Sequence, residues 1–116
     1  MSMNFETIRQ KLLEFRSQRD WEPFHDPKNL AEGLMIEAAE LLENFLWKSV
    51  EQSRMLSEIE QQRVEEEIGD IFAFLVYLCH ELKIDLFEAT SRKIDLNQIK
   101  YPVEKSRGKS AKYKDL

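Results

Sequence analysis

The chain has 116 residues, a net charge of −5, and 42% hydrophobic against 34% charged residues. That is the size and composition of one ordinary globular domain, with an acidic balance that argues against general nucleic-acid binding. Three glycines and three prolines leave long stretches without turn residues, so the sequence predicts an all-α fold rather than a sheet.

Charge is unevenly placed. Residues 101–116 carry five Lys or Arg against two acids. We therefore divide the chain into an all-α domain over 1–104 and a basic tail over 105–116. Such a tail can draw phosphates, or it can be a solvated C-terminus without fixed structure. The single cysteine, Cys79, sits in an apolar run and reads as a core residue of a reducing compartment. Residues 1–10 lack the apolar segment of a signal peptide, and no run of about 18 apolar residues offers a membrane span. The expectation is a cytoplasmic protein with no membrane contact.

Four main helices are predicted. The first runs from Asn4, its N-cap, to Arg19, with Phe5, Ile8, Leu12 and Phe15 recurring every three or four residues. Trp21 to Asn29 reads as a loop, and Asp26-Pro27 marks the next helix start. The second helix covers Pro27 to Lys48. Ser49 to Ser57 is a polar connector with room for a short turn. The third helix covers Ser57 to Leu82. Its second half, Ile71 to Cys79, is apolar nearly all round. A chain this short can hardly cover such a helix alone, so a homo-oligomeric helical bundle is expected. The fourth helix is capped by Asp85 and extends to Ile99, before Tyr101-Pro102.

Two acidic couplets stand out inside these helices: Glu37-Ala38-Ala39-Glu40 and Glu67-Ile68-Gly69-Asp70. Spacing of i,i+3 sets both acids of each couplet on one helix face. Their neighbours are apolar, so four carboxylates would repel and desolvate one another without a cation. Hard oxygen donors without a thiolate suit Mg²⁺ or Mn²⁺, and a Mg²⁺ site usually serves a phosphate substrate. The competing reading is a set of buried or interface salt bridges. Neither couplet contains His, and the one Glu-x-x-His, Glu22 to His25, has Pro23 inside it. That argues against the inward Glu-x-x-His couplets of a di-iron bundle.

Aromatic residues follow the acids in phase. Trp47 is seven residues after Glu40 and Phe74 seven after Glu67, about 700° and roughly 10 Å on. A cation at one end and a flat apolar ring at the other would fit a nucleotide; the alternative is that Trp47 and Phe74 are simply core, and for Phe74 that is the stronger reading. Trp21 is either a loop stacking platform or a lid over the core. His25 is a base contact, a cap or a surface residue. Lys93 and Asn97, one turn apart, can hold phosphate oxygens or form a solvent-facing stripe.

Glu37-x-x-Glu40, 26 residues, then Glu67-x-x-Asp70 resembles the metal motif of the MazG-like all-α nucleoside triphosphate pyrophosphohydrolases. Arg19-Asp20-Trp21-Glu22, Phe24-His25, Lys28-Asn29-Leu30, Phe45-Leu46-Trp47-Lys48, Asp95-x-Asn97 and Tyr101-Pro102 are similar to the dCTP pyrophosphatase branch, and the likeness spans roughly residues 5–116. The resemblance implies hydrolysis of a deoxynucleoside triphosphate, such as dCTP or a modified relative, to the monophosphate and pyrophosphate, as nucleotide-pool housecleaning. It implies Mg²⁺ held by Glu37, Glu40, Glu67 and Asp70, a base stacked by Trp21 and Trp47, phosphate contacts from Lys93 and Asn97, and a homotetrameric dimer of dimers. Leu12 stands where some relatives have His, and Phe74 where some have Tyr, which leaves base preference open. The alternative is a non-catalytic nucleotide-binding or helical scaffold protein of the same fold.

Overall fold

The computed structural model describes residues 3–116, and every regular element among them is helical. Six α-helices follow in order: α1 Phe5–Ser17, α2 Pro27–Glu43, α3 Val50–Ser53, α4 Glu58–Leu82, α5 Leu86–Lys100 and α6 Val103–Ser106. Short 3₁₀ turns occupy Glu22–Phe24 and Tyr113–Asp115. None of the helices is long and apolar enough to cross a membrane. The chain forms two compact units, one through Lys83 and one over Ile84–Leu116.

The helix starts are written in side chains. Asn4 accepts from Thr7 N–H, and Asp26 accepts from Asn29 N–H with Pro27 at the first helical position. Asp85 accepts from Glu88 N–H. Ser49 with Gln52, and Ser57 with Glu60, form reciprocal capping boxes that satisfy two orphan donors each. Ser57→Ala should lower stability by about 1 kcal/mol in urea unfolding, the usual cost of losing such a cap.

Two helix ends differ from expectation. α1 stops at Ser17 rather than Arg19, because the chain turns at Asp20, which has a left-handed φ of 53°. α2 stops at Glu43 rather than Lys48. The amide of Asn44 donates to the carbonyls of Glu40 and Leu41, capping the last turn. Residues 44–47 then form turns, and Trp47 takes a φ of 67°. The helical phase that would set Trp47 on the Glu40 face is therefore broken.

In the first unit α2 and α4 run antiparallel along one another, and α1 packs on α4. The register can be read from partners. Gly33 meets Phe74, Glu37 meets Glu67 and Asp70, and Lys48 pairs with Glu60. Buried residues here are Leu30, Val64, Val76, Tyr77, Cys79 and the charged Arg16. Ile71 to Leu75 are only half-buried. In the second unit the Tyr113 ring packs edge-on against Tyr101 at 6.0 Å, with the Lys100 ammonium 5.0 Å above it. The basic segment thus carries helical turns at 103–106 and 113–115.

Candidate metal and nucleotide site

Two antiparallel helices position the acids. One carboxylate oxygen from each of Glu37, Glu67 and Asp70 lies within 4.8 Å of the others. Glu37 and Glu67 are half-buried, and Asp70 is exposed. One oxygen of Glu37 and one of Glu67 are buried with no hydrogen-bond partner. Buried carboxylate oxygens rarely stay unpaired. Burial, followed by the nearby Glu67 and Glu40 carboxylates and the charge of Asp70, pushes the Glu37 carboxyl up to about 7. An all-oxygen donor set with unspent lone pairs fits a hard divalent cation.

Glu40 stands outside this set of three. It is exposed and lines a neighbouring cleft of about 310 Å³ with Glu43, Asn44, Arg63, Glu66 and Glu67. Glu40 is still near enough to raise the proton affinity of Glu37. The cleft residues Glu43, Asn44 and Arg63 were not singled out in the sequence. The antiparallel register that brings α2's last turn to Arg63 has no local signature.

One stripe of α4 organises the rest of this unit. Glu67, Asp70, Phe74, Tyr77 and Glu81 follow one another at alternating three- and four-residue steps, so they share a helix face. Phe74 lies against α2 at Gly33, where an added Cβ would come within 2.5 Å of its ring. That contact makes Phe74 part of the α2–α4 packing. The Tyr77 hydroxyl donates to the Leu12 carbonyl at 2.9 Å, and its ring centre is 4.8 Å from that of His25. Glu81 pairs with Arg16 at 3.2 Å.

The two tryptophans fall at opposite ends of this helix pair. Trp21 is 41% exposed, packs edge-on against Phe15 at 5.6 Å, and neighbours His25. It is thus attached to the Tyr77 end of α4. Trp47 is 92% exposed, and its neighbour Lys48 binds Glu60 near the start of α4. Seventeen residues separate Glu60 from Tyr77, on the order of 25 Å of helix. Lys93 and Asn97 lie on α5 in the second unit, Lys93 exposed and Asn97 half-buried. His80 is exposed, with Nδ1 3.2 Å from the Arg9 guanidinium.

The chain is 42% identical to bovine dCTP pyrophosphatase 1 over 113 residues, covering 96% of this chain and 67% of that protein. It is 38% identical to the human dCTP pyrophosphatase 1, again over 96% of this chain, and 66% of that protein. The chain thus spans about two thirds of the length of these relatives. The crystal structure of a pyrophosphatase from Archaeoglobus fulgidus is 40% identical and superposes with a TM-score of 0.80, covering 88% of this chain and 98% of that one. A profile of the MazG-like family matches residues 34–116, a range that holds all four acids. By sequence, by fold and by the acids that α2 and α4 bring together, the chain belongs to the MazG-like family.

Proposed function

We propose that this protein is a Mg²⁺-dependent pyrophosphohydrolase of deoxynucleoside triphosphates, with dCTP or a modified relative as substrate and nucleotide-pool housecleaning as its role. The observation that carries this reading is the Glu37–Glu67–Asp70 cluster with its two buried, unpaired oxygens. The names of the similar proteins support it. Glu37, Glu67 and Asp70 would hold the cation, with Glu40 beside them, and a bound Mg²⁺ or Mn²⁺ would neutralise charge building on the phosphates. Water attacks the α-phosphorus in line. A new P–O bond forms there, the bond to the bridging α–β oxygen breaks, and pyrophosphate leaves. The water's proton passes to a carboxylate of the cluster. Trp21 stacks on the base. Asp70 and Tyr77 are seven residues apart on one face of α4, about 10 Å, which suits the reach from phosphate to base. Lys93 and Asn97 would hold phosphate oxygens, and Phe74 would back the pocket wall.

The reading includes a homotetramer. Met35, Ile36, Leu42 and Ile68 are more than half exposed beside the acids, apolar surface that further copies of the chain would cover. Trp21 and Trp47 lie too far apart in one chain to bracket one base, so a shared base would need Trp47 from a second copy. The buried free thiol of Cys79 is compatible with a cytoplasmic location. A panel of canonical and modified deoxynucleoside triphosphates with Mg²⁺, with products resolved, tests the activity. Monophosphate and pyrophosphate are expected. Release of orthophosphate would reject the reaction class.

A further inference from the structure

A buried cation sits under the loop that carries Trp21. Arg16 is 4% exposed, and its side chain has three neighbours. The guanidinium donates to Glu81 at 3.2 Å, approaches His25 Nδ1 at 3.3 Å, and lies 5.3 Å above the Tyr77 ring. Arginine can only donate, so His25 Nδ1 accepts and the ring proton is on Nε2. Burial, and then the charge of Arg16, hold His25 below its ordinary proton affinity, which keeps the ring a neutral acceptor. The main chain of Arg16 takes part too. Its carbonyl accepts from the N–H of Arg19 at 3.2 Å and of Trp21 at 3.1 Å. One residue therefore grips the loop at both ends, Trp21 through its carbonyl and His25 through its side chain.

Packing alone does not call for an arginine here. Burying a guanidinium is costly, and an apolar side chain of similar volume would often serve the core as well. What an apolar side chain could not do is hold the imidazole. The indole of Trp21 neighbours both that imidazole and Phe15, with ring centres 6.3 and 5.6 Å away, so a shift of His25 would remove one of its two ring neighbours. Resting on the reading that Trp21 stacks on the base, we infer that Arg16 is a positioning residue: by clamping His25 against Tyr77 it fixes the indole that receives the nucleotide. The side-chain partners of Arg16 are Glu81, His25 and Tyr77, none of them an acid of the Glu37–Glu67–Asp70 cluster, so its removal should be felt in substrate binding and not in the chemical step.

The test uses the whole 116-residue chain. Arg16→Met together with Glu81→Met removes both charges and leaves neither unpaired, and Arg16→Lys keeps a cation for Glu81 but loses the fork that reaches His25. Acrylamide quenching without substrate reads Trp21 alone in a Trp47→Phe background, since the chain has two tryptophans. Kinetics with dCTP and Mg²⁺ are measured with Trp47 present. In the double variant quenching should at least double and KM rise about tenfold, with kcat within twofold of wild type. Arg16→Lys should give an intermediate KM. A folded variant with wild-type quenching and KM overturns the inference, as does a fall in kcat with KM unmoved. Raised quenching with an unmoved KM overturns the role in binding. Trp21→Ala then separates the two readings: if it also leaves KM unmoved, base stacking by Trp21 was the error.

Discussion

Glu37→Gln should reduce kcat/KM by about 10²–10³-fold, the usual scale for deleting one preorganised electrostatic group, while the protein stays folded. Glu37 is the acid at which the others converge, and one of its oxygens is buried without a partner. The same variant should change how stability depends on pH. In the folded protein burial and the neighbouring acids raise the Glu37 carboxyl from 4.5 to about 7. The folded state therefore binds a proton more tightly than the unfolded chain. That contribution is fully present below about 4.5 and is lost as pH rises to about 7. Chelated wild-type protein should lose thermal stability across this window, and Glu37→Gln should not. Mg²⁺ should restore stability increasingly as pH rises, because ion and proton compete for the same oxygens. Glu60 does not confuse the measurement. Its hydrogen bond from Lys48, then those from Ser57, lower it to about 2, so its contribution is lost only as pH falls through that lower range. A flat profile in the chelated wild type would remove the shared-site argument.

Gly33→Val should cost about 3 kcal/mol in urea unfolding, at the upper end for overpacked positions. A Cβ at Gly33 already meets Phe74 ring carbons at 2.5, 2.7 and 2.9 Å, and Val adds two methyl groups. Valine's better helix propensity returns only a few tenths of a kcal/mol, so the clash decides the sign. Gly33→Val combined with Phe74→Ala should recover much of the loss, a coupling of more than 1 kcal/mol in a double-mutant cycle. Metal affinity should also fall in the single variant, since Gly33 is one turn before Glu37 on α2. Additive effects would mean that the ring moves aside freely.

Helix starts were legible because each is marked by a capping side chain: Asn4, Asp26 before Pro27, Ser57 and Asp85. The meeting of Glu37 with Glu67 and Asp70 was legible because i,i+3 spacing within apolar helices leaves few places for the acids to go. The end of α2 was misread. Phe45, Leu46 and Trp47 continue the apolar pattern, but Asn44 uses its amide to stop the helix. The Arg16–Glu81 pair was invisible because 65 residues separate its members. The need for open space at Gly33 has no local signature, since it arises only from Phe74 on another helix.

The face of α4 running from Glu67 to Glu81 acts as a ruler, with the acid cluster, the Phe74–Gly33 contact, Tyr77 and the Arg16–Glu81 pair marked along one edge. Adding or deleting a single residue between Asp70 and Phe74 would turn every later mark by about 100° and slide it 1.5 Å. Length changes in this stretch should therefore be selected against more strongly than side-chain exchanges, since one indel would put the acid cluster and the Arg16–Glu81 pair out of register together.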